Sequence, residues 1–82
     1  MRIAEIEPQA NCTLKIVSED GRIGHFDVNP YLKYEAFINL KDQNVFKRVS
    51  NGVYFIEWEC GADLSADTIE AKWKLLELDN KF

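Results

Sequence analysis

Cys12-Thr13-Leu14-Lys15-Ile16-Val17-Ser18-Glu19-Asp20-Gly21-Arg22-Ile23-Gly24-His25-Phe26-Asp27-Val28 is the stretch on which the fold turns. Two runs alternate apolar and polar residues on either side of Glu19-Asp20-Gly21, which is hairpin chemistry. Loop length sets the register. A two-residue loop at Asp20-Gly21 places Leu14 opposite Asp27 and Ile16 opposite His25. A three-residue loop with a left-handed Gly21 places Leu14 opposite Phe26, Ile16 opposite Gly24 and Cys12 opposite Val28. Only the second gathers the apolar side chains on one face, and a slip by one residue would lose that segregation. The three-residue loop is therefore expected, with Thr13, Lys15, His25 and Asp27 on the other face.

Towards the N-terminus, residues 1–7 alternate and read as a first strand, closed by Pro8 and a polar turn through Asn11. Towards the C-terminus, Asn29-Pro30 is a helix-start signal, with Asn29 as cap and Pro30 at the first helical position. Only about a turn follows, through Tyr31 and Leu32. Phe37 and Leu40 anchor an irregular segment. Asp42 caps a short helix carrying Val45, Phe46 and Val49, which Asn51-Gly52 ends. Residues 53–58 (Val-Tyr-Phe-Ile-Glu-Trp) are the strongest strand; both faces are apolar, so it should be central or covered on both sides. Ser65 caps a final helix from Ala66 to about Leu78. The expected architecture is a single α+β domain over residues 1–82. It holds a small antiparallel sheet of about four strands, a short middle helix and a longer C-terminal helix.

That last helix carries two apolar stripes. At 100° per residue Ala66, Ile69, Trp73 and Leu76 form one, about 80° wide. Ala71, Leu75 and Leu78 form another, roughly opposite, with Glu70 and Lys74 ordered as an i,i+4 pair. A helix resting on a sheet needs one stripe. The second either packs beneath the chain's own 31–40 segment or serves as a partner surface, because exposed apolar patches on a small domain mark interfaces. Ala71, Leu75 and Leu78 are thus the candidate interface, for a second copy in a dimer or for a small companion protein.

Composition narrows the function. The chain has 82 residues, 46% of them hydrophobic and 12% aromatic, which supports a packed core. A formal charge of −4 repels phosphate backbones, so direct nucleic-acid binding is not expected. No apolar run approaches the ~20 residues that span a bilayer, and the N-terminus lacks the pattern of a secretory signal. The expectation is a cytoplasmic protein with reduced, buried Cys12 and Cys60.

Catalytic and metal chemistry find little to work with. His25 and Asp27 share a strand face without a nucleophile beside them. Cys12, Cys60 and His25 lack metal-ligand spacing. The glycines are scattered rather than clustered before a helix, and Asp63, Asp67 and Glu70 suit a helix start. No catalytic residue, metal or cofactor is assigned, and the chain is not expected to be an enzyme. One ligand-binding alternative remains: Tyr31, Tyr34, Tyr54 and Trp58 as the lining of an aromatic pocket for a small molecule.

Two segments together, Asp20-Gly21-Arg22-Ile23-Gly24-His25-Phe26-Asp27-Val28-Asn29-Pro30 and Trp58-Glu59-Cys60-Gly61-Ala62-Asp63-Leu64-Ser65-Ala66-Asp67-Thr68-Ile69, resemble a bacterial family of small proteins, domain-of-unknown-function family 2442. Phe37, Leu40, Asp42 and Phe46 fall where that family's intervening Phe, Leu, Asp and Phe would. The likeness covers residues 1 to about 70. Glu59-Cys60 stands where the family usually has Pro-Asn, and Ala66 replaces a common Pro. The resemblance implies a compact α+β unit in which Asp27 and Asp63 are caps, Trp58 a core aromatic and Gly61 a turn. It also implies an antitoxin-like role, since some members lie beside small companion proteins in arrangements suggesting toxin–antitoxin pairs on mobile elements. The functional expectation is a non-enzymatic protein-interaction module that self-associates or pairs with a companion.

Overall fold

Gly21 adopts φ +94°, and its N–H donates to the Ser18 carbonyl at 3.0 Å, so Glu19-Asp20-Gly21 links the paired Ser18 and Arg22. Around this turn, a computed structural model describing residues 1–76 arranges the chain as β1 (Ile3–Gln9), β2 (Thr13–Ser18), β3 (Ile23–Asp27), α1 (Gln43–Phe46), β4 (Val49–Asn51), β5 (Phe55–Trp58), β6 (Asp63–Ser65), α2 (Ala66–Lys72) and β7 (Lys74–Leu75). Single turns of 3-10 helix at Ala10–Cys12 and Asn29–Tyr31, and a longer one at Glu35–Lys41, fill the connections.

The β2–β3 register is the expected one, with Leu14 opposite Phe26 and Ile16 opposite Gly24. Leu14, Ile16 and Phe26 are buried, while Thr13, Lys15, His25 and Asp27 lie on the outer face, half-buried or exposed. β1 runs past the predicted end, through Pro8 to Gln9. As an edge strand in the order β1-β2-β3-β7 it tolerates a residue without an N–H.

The fold is α+β, as anticipated, with a four-stranded antiparallel sheet whose fourth strand is β7 rather than the predicted 53–58 strand, which belongs to a second antiparallel sheet, β4-β5-β6. Val53 creates the division. It sits at φ +73°, which breaks the predicted 53–58 strand and leaves Phe55–Trp58 as β5. The Asn51 side chain fastens the kink: Oδ1 accepts the Val53 N–H at 2.8 Å and Nδ2 donates to the Ile3 carbonyl at 2.8 Å. β5 is central in its sheet, yet only one face is covered. Ile56 and Trp58 are buried, whereas Phe55 and Glu57 are exposed.

Both sheets, α1 and α2 contribute to one core that includes Ile3, Leu14, Phe26, Leu40, Phe46, Ile56, Trp58 and Ile69. A run of rings crosses it, Phe26–Tyr31–Phe37–Trp58–Phe46, with successive centroids 5.6–6.4 Å apart. The caps follow residue chemistry. Asp42 accepts the Asn44 N–H at 2.9 Å and Ser65 Oγ accepts that of Thr68 at 3.1 Å. Asn29 is not the cap it was expected to be: its amide donates to Asp27 and Asn11, and Asp27 accepts the Asn29 N–H. Asp63 is no cap either, lying exposed in β6 opposite Glu57. Trp58 is a core aromatic and Gly61, at φ +100°, a turn.

The C-terminal helix is seven residues long and stops at Lys72, not at Leu78. Trp73 leaves helical space (φ −72°, ψ 158°), and the next residues pair with β3. Two interactions outweigh continued helix: an open β3 edge that gains a strand partner, and a bed for the indole over Gly24. Leu78 lies outside the described residues.

Candidate functional site

The predicted helical stripe does not exist as such. Ala71 is exposed in the last turn of α2, whereas Leu75 lies on β7 at the rim of the four-stranded sheet. Leu75 is 46% exposed and its neighbour Leu76 is 45% exposed. Leu76 N–H donates to the Ile23 carbonyl at 2.8 Å, which sets it opposite Ile23, next to half-buried Val17. Antiparallel alternation then turns the backbone N–H and C=O of Leu75 away from β3. Among the described residues the outcome is an unpaired strand edge carrying leucines on opposite faces, with His25 and Lys15 beside Lys74 on the outer one.

An ionic cluster that sequence reasoning missed holds this edge in place. Glu70 does not pair with Lys74; its Oε2 meets Arg22 Nη2 at 3.0 Å and its Oε1 the Met1 ammonium at 2.9 Å. Arg22 also grips Asp20 at 3.0 Å and places its guanidinium 5.5 Å from the Trp73 ring centroid. The Ser18 hydroxyl and then Arg22 hold the Asp20 carboxyl down at about 2. The Met1 ammonium, followed by Arg22, lowers that of Glu70. Arg22 lies four residues from Ser18 across the turn, but nothing local in the sequence announces Glu70 as its partner.

Only two of the four aromatic-pocket residues converge. Tyr31 and Tyr34 line a cleft of about 370 Å³ with Phe26, Asp27, Pro30, Lys33 and Lys72, between the turn after β3 and the end of α2. Tyr34 is 54% exposed, with the Lys33 ammonium 5.4 Å from its ring centroid. Trp58 is elsewhere, buried, with its indole N–H donating to the Phe46 carbonyl at 2.9 Å. Tyr54 is 61% exposed on the β4–β5 turn, beneath Arg2.

His25 lies between Lys15 and Lys74 on the outer face. Of the thiols, Cys12 is half-buried against the Leu40 carbonyl, and burial, then Asp27, raises its pKa. Cys60 is exposed rather than buried, because its tight turn lies outside the core. Among the described residues no group of three or more His, Cys, Asp or Glu is placed to hold a metal ion, and no helix is long and apolar enough to cross a membrane.

The family described as Protein of unknown function (DUF2442) matches residues 3–74, from the start of β1 into β7. The chain belongs to this family. The DUF2442 match therefore takes in both sheets, both helices, the cleft and the first residue of the exposed edge. No curated protein and no solved structure matches the chain.

Proposed function

We propose that this DUF2442 chain is a non-enzymatic protein-interaction module that self-associates or pairs with a companion protein, antitoxin-like in the sense the family resemblance implies. The observation that carries the reading is the β7 edge, with half-exposed Leu75 and Leu76. An added strand gains main-chain hydrogen bonds from such an edge, and alternating leucines supply side-chain contacts on both faces. A domain of this length also gains most from covering apolar surface with a second chain.

Native mass by light scattering across a wide concentration range tests the self-association arm. A dimer that Leu75→Glu with Leu76→Glu dissolves, leaving a folded monomer, supports it. A monomer at every concentration, or assembly unchanged by both substitutions, overturns it.

A second reading has its own support. The cleft beside Tyr31 and Tyr34 has the size and mixed lining of a small-ligand site, within the ~300–1,000 Å³ usual for such pockets.

A further inference from the structure

We propose that the cleft takes a small aromatic carboxylic acid, its flat body against Tyr31 and Tyr34 and its carboxylate towards the Lys33 and Lys72 ammonium groups; the inference rests on the small-ligand reading of the same cleft. Shape comes first. Tyr31 is held by Phe26 at 5.8 Å and by Phe37 at 5.6 Å, so the aromatic wall is built before any ligand arrives. A planar guest extends an existing run of rings, and little side-chain freedom is lost in forming the site.

Charge selects the guest further. Three charged side chains line the cleft: Asp27, Lys33 and Lys72. Asp27 is oriented by Asn29, its Oδ1 accepting the Asn29 backbone N–H at 3.0 Å and the side-chain amide at 2.7 Å, and the two lysines outnumber it. Neither lysine has an ion-pair partner among the described residues. In a chain of net charge −4 this cleft thus carries one more cation than anion, with the Lys33 ammonium 5.4 Å from the Tyr34 ring centroid and Lys72 beside it in the lining. A cationic guest would meet both at close quarters. A single carboxylate on a ring satisfies both constraints.

Amide NMR titrations with phenylacetate and with its neutral counterpart phenylacetamide test this on the intact chain. Phenylacetate should give saturable shifts at residues 27–34 and at Lys72. Phenylacetamide should bind about tenfold more weakly, as expected when a charge-assisted contact is replaced by a neutral one. Lys33→Gln and Lys72→Gln, both at exposed positions, should each weaken phenylacetate several-fold and phenylacetamide much less. Equal affinities for the two compounds would overturn the carboxylate preference but keep the cleft as a ligand site. An absence of shifts around the cleft with either compound would overturn both.

Discussion

The indole of Trp73 crosses Gly24 so closely that a β-carbon at that position would lie 2.6 Å from ring carbon Cε3 and 2.8 Å from Cδ2. This contact holds the end of α2 to β3 and directs Lys74 and Leu75 into the sheet. Gly24→Ala must push the ring off its bed. We expect a loss of about 1–3 kcal/mol, the usual cost of overpacking, although alanine ordinarily suits a strand better than glycine. Urea unfolding measures the loss, and amide exchange at Lys74 and Leu76 should rise with it. Unchanged stability and exchange would mean that the indole does not anchor β7.

The carboxyls beside Arg22 predict the acid limb of stability. Asp20 has its pKa lowered from 3.8 to about 2 in the folded chain, by the Ser18 hydroxyl first and Arg22 second. A depressed folded value means stability that is fully present above the unfolded value and lost as pH falls towards the folded one. The urea midpoint of the native chain should therefore decline between about pH 4 and pH 2. Asp20→Asn should flatten that decline without abolishing it, since Glu70 is lowered as well. A limb of undiminished slope in the variant would place the acid sensitivity elsewhere.

What could be read from the sequence was what neighbouring residues decide. Asp20-Gly21 and the alternation around it contain the whole register of β2 and β3, and Asp42 and Ser65 declare their helices by capping. The break at Trp73 is a different kind of event. Lys74-Leu75-Leu76 suits a helix locally, and only the distant Gly24 surface and β3 edge favour an extended chain there. The cleft was half legible for the same reason. Tyr31 and Tyr34 share a short turn, with the Tyr34 N–H donating to the Tyr31 carbonyl at 3.0 Å, whereas Tyr54 and Trp58 follow the second sheet away from it. Lys72 enters the cleft from a helix far along the chain, and no spacing rule reaches that far.

Trp58→Phe should be costly in spite of its similar shape. Phe46 is the last residue of α1, so its carbonyl has no partner within the helix, and the Trp58 indole N–H supplies one at 2.9 Å in the core. Phenylalanine leaves that carbonyl unsatisfied and also opens a void. Together these predict a loss of about 2–4 kcal/mol in denaturant unfolding. A loss within the range of a simple hydrophobic trim would show that the bond contributes little.

Val53 offers the opposite prediction, a substitution that strengthens the fold. A β-branched residue at φ +73° is strained by about 1–2 kcal/mol relative to its preferred regions. The position is held because the Val53 carbonyl accepts the Ile3 N–H at 2.8 Å and its own N–H reaches the Asn51 side chain, which joins the β4–β5 turn to β1. Both bonds are made by the backbone, so another side chain preserves them. Asparagine enters the left-handed region more readily than valine, and Val53 is only half-buried, so little packing is given up. Val53→Asn should therefore raise stability by about 0.5–1 kcal/mol in urea unfolding. A decrease would mean that the valine side chain contributes more to the junction between the sheets than its backbone strain costs.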